Sequence, residues 1–97
     1  MRIVRWNKLA KLDYFENIDY LLKYWSEKEA QKFIDHVSQI ELLLKKGQVE
    51  FQDPNHPNIK RCVINKQITL FYQNKDDNSV EFLRFWNNYQ NFKNLDL

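Results

Sequence analysis

The chain has 97 residues, enough for one domain with a modest core and too few for two. Hydrophobic residues make up 43% and aromatics 15%, which excludes a disordered chain, and the net charge of +2 does not by itself mark a nucleic-acid binder. A lone Cys62 excludes an internal disulfide and suits a reducing cytoplasm. No apolar run is long enough to span a membrane, and no signal-peptide pattern opens the chain.

Arg2-Ile3-Val4-Arg5-Trp6 is short, β-favouring and bounded by Asn7, which predicts an N-terminal strand pairing with one edge of a later sheet. From Lys8 the period changes. Leu9, Leu12, Phe15, Ile18, Leu22 and Trp25 recur at spacings of three and four, and this reads as the core face of a helix capped by Asn7. Ser26-Glu27-Lys28-Glu29 fits a capping box, so a second helix starts there. Ala30, Phe33, Ile34, Val37, Ile40 and Leu44 share one side of it. Lys45 and Lys46 suit the negative end of its dipole, and Gly47 suits a left-handed stop. Two helices this close in sequence predict an antiparallel hairpin.

Asp53-Pro54-Asn55-His56-Pro57-Asn58 is a loop signal. His56 has the chemistry of a general acid or base, but a solvated loop histidine is the simpler reading, as a surface position is for His36 on the second helix. Two His and one Cys do not make a zinc site, so neither metal nor cofactor is expected. Three strands follow: Lys60–Ile64, Gln67–Gln73 and Ser79–Trp86. Their short connections make them an antiparallel meander, with the middle strand central. The fold class is therefore α+β: a strand, a two-helix antiparallel hairpin, then a three-stranded antiparallel meander (β-α-α-β-β-β). Strict alternation puts Phe82, Arg84 and Trp86 on one face of the last strand and Leu83 and Phe85 on the other. If Leu83 and Phe85 meet the helices, Phe82 and Trp86 form an apolar patch on the free face, rimmed by Lys60, Arg61 and Arg84. Such a patch suits a protein partner. Cations interleaved with Tyr72, Trp86 and Tyr89 are also the parts of an RNA-binding sheet.

This order of elements resembles the RelE/ParE toxins of bacterial type II toxin–antitoxin systems. The resemblance rests on Ile3-Val4-Arg5-Trp6, the helical hairpin ending near Lys46, Ile59-Lys60-Arg61 leading into the meander, Leu70-Phe71-Tyr72, and a closing segment from Phe85 to Leu95. It covers nearly the whole chain as a single domain. It implies a toxin of a plasmid-stabilising pair, inhibiting growth through messenger RNA on the ribosome or through DNA gyrase, with a cognate antitoxin as partner. The alternatives are an inactive relative that serves as a binding module, and a homodimer that closes the apolar patch. Carried over by position, Lys60 matches a basic position of the first meander strand. Cys62 and Thr69 stand where the nucleases often carry Lys and Arg, Tyr89 replaces the closing Arg, and Phe92 replaces a Pro. Lys60, Arg61, Arg84 and Tyr89 are the candidate catalytic residues, and Phe82 and Trp86 the candidate partner-binding residues.

Overall fold

The structure is a computed structural model of the chain and describes residues 1–47, 50–51, 58–76, 78–90, 92–95 and 97. The expected loop with His56 lies outside the described residues. The order is β1 (Ile3–Trp6), α1 (Lys8–Tyr24), α2 (Glu27–Lys46), β2 (Lys60–Val63), β3 (Ile68–Asp76) and β4 (Ser79–Asn87), then a short 3-10 turn at Phe92–Asn94. This is the α+β order read from the sequence.

The helix ends are set by the expected local chemistry. The Asn7 side chain accepts from the Ala10 N–H at 2.8 Å, and the Ser26 hydroxyl accepts from the Glu29 N–H at 3.1 Å. Gly47 stops α2 at φ 67°, where other residues are strained. The sheet order is β1-β4-β3-β2. β2, β3 and β4 form the antiparallel meander, and β1 joins the far edge of β4 in parallel. Arg2 ties this edge to α2: its backbone N–H donates to the Lys45 carbonyl, and its Nε to the Leu44 carbonyl at 3.0 Å. Both helices pack on one face of the sheet. Leu21, Phe33, Val37, Ile40 and Leu44 meet Ile68, Leu70, Tyr72, Val80, Phe82 and Phe85 there. Among the described residues, no helix is long and apolar enough to cross a membrane.

Two expectations are corrected. The first concerns α1. Its buried residues are Ala10, Asp13, Asn17 and Leu21, whereas Leu9, Leu12, Phe15, Leu22 and Trp25 are each about half exposed. Three residues advance a helix by about 300°, so each step of three falls about 60° short of a full turn. Leu9, Leu12, Phe15 and Ile18 therefore wind around the helix instead of lining one face. The 3-4-4 spacing of Ala10, Asp13, Asn17 and Leu21 does hold one face.

The second concerns β4. Phe71 pairs with Arg84, but the next residue of β3, Tyr72, pairs with Phe82, leaving Leu83 as an extra residue. A bulge of this kind reverses which face every later side chain meets. Phe82 and Phe85 thus both enter the core beneath the helices, while Leu83 and Trp86 cluster with Phe71 on the outer face. Phe82 is fully buried and is not part of the outer patch. Trp86 is on that face but only 4% exposed, and Ile59 and Leu95 pack against the cluster.

Candidate functional site

β1 is four residues long and β4 nine, so β1 covers only Ser79 to Phe82 of its neighbour. Past Phe82 no strand among the described residues lies beside the edge of β4, and α1 crosses the gap. Its buried polar pair supplies what a strand would supply. The Asp13 carboxylate accepts from the Phe85 N–H at 3.1 Å, and Asn17 Nδ2 donates to the Phe85 carbonyl at 3.1 Å. A sheet edge buried without such partners would strand backbone polar groups. The same Asp13 carboxylate takes Arg84 in a two-pronged pair, Nε at 2.6 Å and Nη2 at 3.0 Å. A planar guanidinium matches a carboxylate in this way, which gives direction as well as charge. The Arg84 guanidinium also lies over the Trp86 ring, 5.2 Å from its centre. Asp13, Asn17, Arg84 and Trp86, with Glu16, Tyr20, Asn87 and Gln90, line a cleft of about 260 Å³ where α1 leaves the sheet edge.

The four candidate catalytic residues separate into three places. Arg61, Phe71 and Arg84 stand in one row across β2, β3 and β4, which puts the two arginine Cα atoms about 10 Å apart at ordinary strand spacing. Lys60 is next to Arg61 in sequence and so belongs to the opposite face. It borders a shallow polar cleft of about 440 Å³ with Asn58, Gln73, Asn74 and Lys75. Tyr89 lies two residues beyond β4 and is 72% exposed. Asn88 anchors it: the Asn88 N–H donates to the Gln67 carbonyl, its Oδ1 accepts from the Thr69 hydroxyl at 2.7 Å, and its Nδ2 donates to the Lys66 carbonyl. The fold therefore brings Arg61 and Arg84 together, turns Lys60 away, and sets Tyr89 past the end of the sheet.

Cys62 pairs with Leu70 in the core, and burial pushes its thiol up to about 11. At neutral pH it is a protonated thiol and a poor nucleophile. Burial also raises the Tyr72 phenol, whose oxygen accepts from the Phe51 N–H at 3.0 Å. His36 is exposed on α2 beside Lys32, Asp35 and Gln39. Among the described residues, no group of three His, Cys, Asp or Glu could hold a metal ion.

Asp13, Asn17 and Asn88 were missed because hydrophobic periodicity ignores polar residues. The signal was there for Asp13 and Asn17, which share helical spacing with Ala10 and Leu21.

No protein-family model matches the sequence, and no curated protein does. Solved structures do match. The toxin–antitoxin ParDE system of P. aeruginosa has a chain that aligns with a TM-score of 0.70 and 17% identity over 90% of this chain and 96% of that one. A Helicobacter pylori toxin aligns at 0.64 and 18%, over 91% and 96%. A Staphylococcus aureus YoeB–YefM complex has a chain that aligns at 0.57 and 17%, over 92% and 99%. This chain has the RelE/ParE toxin fold.

Proposed function

We propose that this chain is the toxin of a type II toxin–antitoxin pair and is kept inactive by a small antitoxin protein. The observation that carries this is the extent of the fold match, nine-tenths or more of each chain, to a ParDE system and a YoeB–YefM complex. Growth on induction is the test. Expression of this chain alone should arrest bacteria, and co-expression of the adjacent small gene should relieve the arrest. Unchanged growth would favour an inactive binding module on the same scaffold.

Of the two targets this fold suggests, DNA gyrase is the better supported here. Arg84 is committed to Asp13, Lys60 faces away from Arg61, Cys62 is a buried thiol, and Thr69 donates its hydroxyl to Asn88. Each charged group aimed at a developing charge is worth roughly 2.7–4 kcal/mol, so a site lacking several of them cuts RNA slowly. Purified protein should leave ribosome-bound message intact in primer extension and should inhibit supercoiling by gyrase. Strong codon-dependent cuts, lost in Arg61→Ala or Tyr89→Phe, would overturn the gyrase assignment and place the chemistry on the outer face.

A further inference from the structure

The cleft where α1 leaves the edge of β4 holds groups that the capping of that edge does not use. Asp13, Glu16, Asn17 and Tyr20 fall within about 100° of the helix circumference, so they share one side of α1 and meet Arg84 and Trp86 across the cleft. Asp13 takes both Nε and Nη2 of Arg84, so these two charges cancel. Glu16 then supplies the net charge of the lining. It is exposed, and its carboxylate has no ion pair among the described residues. Asn17 is only 6% exposed, and its Nδ2 is spent on the Asp13 and Phe85 carbonyls. That leaves Oδ1 as an acceptor. It has no hydrogen-bond partner among the described residues, yet it is not sealed from solvent, so it opens on the cleft that Asn17 lines. An amide oxygen held in so buried a side chain is a costly group to leave without a donor.

We propose that the cleft binds one small cation with N–H donors on an alkyl stem, the group that a lysine or arginine side chain presents. The lining matches that chemistry. The Glu16 carboxylate meets the charge, Asn17 Oδ1 accepts an N–H, and Tyr20 adds a ring and a second oxygen beside them. An anion finds less to hold it, because Asp13 already occupies two prongs of Arg84 and Glu16 repels negative charge. The volume of about 260 Å³ lies just under the about 300 Å³ at which pockets for drug-sized ligands begin, so it suits a single side-chain group. A basic side chain of another protein and a free polyamine carry the same group, and the experiment separates them. The inference does not depend on the toxin reading, since it concerns only the cleft between α1 and β4.

Titration of the full chain at constant ionic strength, followed by the side-chain amide and indole N–H resonances, tests it. The probes are n-butylguanidinium, spermidine and the peptide acetyl-Gly-Arg-Gly amide. Butylguanidinium should shift the Asn17 amide and the Trp86 indole saturably, with a millimolar Kd, and leave the Trp25 indole in place. Glu16→Gln should weaken this binding by about tenfold, the effect of one hydrogen bond to a charged group. Asp19→Asn, at an exposed carboxylate that does not line the cleft, should leave it unchanged. Both substitutions are at exposed positions, so the circular dichroism should not change. Tetramethylammonium, a cation without N–H donors, should not bind. Saturation by the peptide and not by spermidine assigns the group to a partner protein's side chain, and the reverse assigns it to a free polyamine; either result supports the cleft. No saturable shift with any probe would overturn the proposal. So would binding indifferent to Glu16→Gln, equal binding of tetramethylammonium, or the same shifts produced by inorganic phosphate.

Discussion

Asp13 is the residue on which most depends. One carboxylate satisfies an arginine and a backbone N–H from the edge of β4 that α1 covers. Removing one partner of a largely buried pair leaves the other charge stranded, which costs more than the pair contributes. Asp13→Ala should therefore lower stability by about 3 kcal/mol in urea unfolding. Arg84→Ala on top of it should add less than its own single effect, since the two act as a unit. Asn17→Ala, which removes neutral bonds only, should cost about 1–2 kcal/mol. If Asp13→Ala changes stability by less than Asn17→Ala, the edge-capping role assigned to it is wrong. Cys62 gives a residue-scale prediction of a different kind. Its thiol titrates at about 11 in the folded protein and at 9.0 when unperturbed. The folded state holds its proton more tightly, so the unfolded state loses protons first as pH rises. Stability is unaffected below about pH 9 and falls between pH 9 and 11. Burial of the Tyr14 and Tyr72 phenols acts in the same direction. Cys62→Ser should flatten part of this alkaline decline in pH-dependent thermal unfolding, and an identical slope would refute the assignment.

Among the elements, β4 and α1 differ in how they express their patterns. In β4, one extra residue re-aims four side chains, and the fold depends on it. Deleting Leu83 would restore unbroken alternation and carry Phe85 or Phe82 out of the core. The expected outcome is loss of the folded state, read as the absence of a cooperative transition by circular dichroism. Retention of a native-like transition would mean the strand can re-register. In α2 the critical position is its end. Gly47 sits at φ 67° with open space around an added Cβ, the nearest atom being Arg2 Nε at 3.9 Å. The penalty for Gly47→Ala is thus backbone strain alone, about 1 kcal/mol, measurable as a small shift in midpoint without a change in slope.

At the scale of the whole molecule, a single core links both helices to all four strands, and the outer cluster of Phe71, Leu83 and Trp86 is a small satellite of it. Unfolding should accordingly be one cooperative event, with helix content and tryptophan emission changing together. The three tryptophans report separate places: Trp6 packs on Phe82, Phe85 and Tyr14, Trp86 lies under Arg84, and Trp25 is exposed at the end of α1. Acrylamide should quench mainly Trp25.

Local chemistry was legible in the sequence because it acts over a few residues. Asn7, Ser26 and Gly47 mark the helix ends through bonds and backbone angles that need no distant partner. The short links around Asn65-Lys66 and after Lys75 leave the strands only an antiparallel arrangement. The order of elements, and with it the fold, follows from these. What the tertiary structure decided is the facing of side chains. The core face of α1 is chosen by what meets the open edge of β4, and there two polar residues fit better than apolar ones because backbone groups must be paired. The bulge at Leu83 arises from matching β4 to β3 and β1 at once, a condition no single strand carries. That is why Phe82 moved into the core, why Arg84 found Asp13 across 71 positions of sequence, and why a stripe that reads as core on α1 is left facing outward.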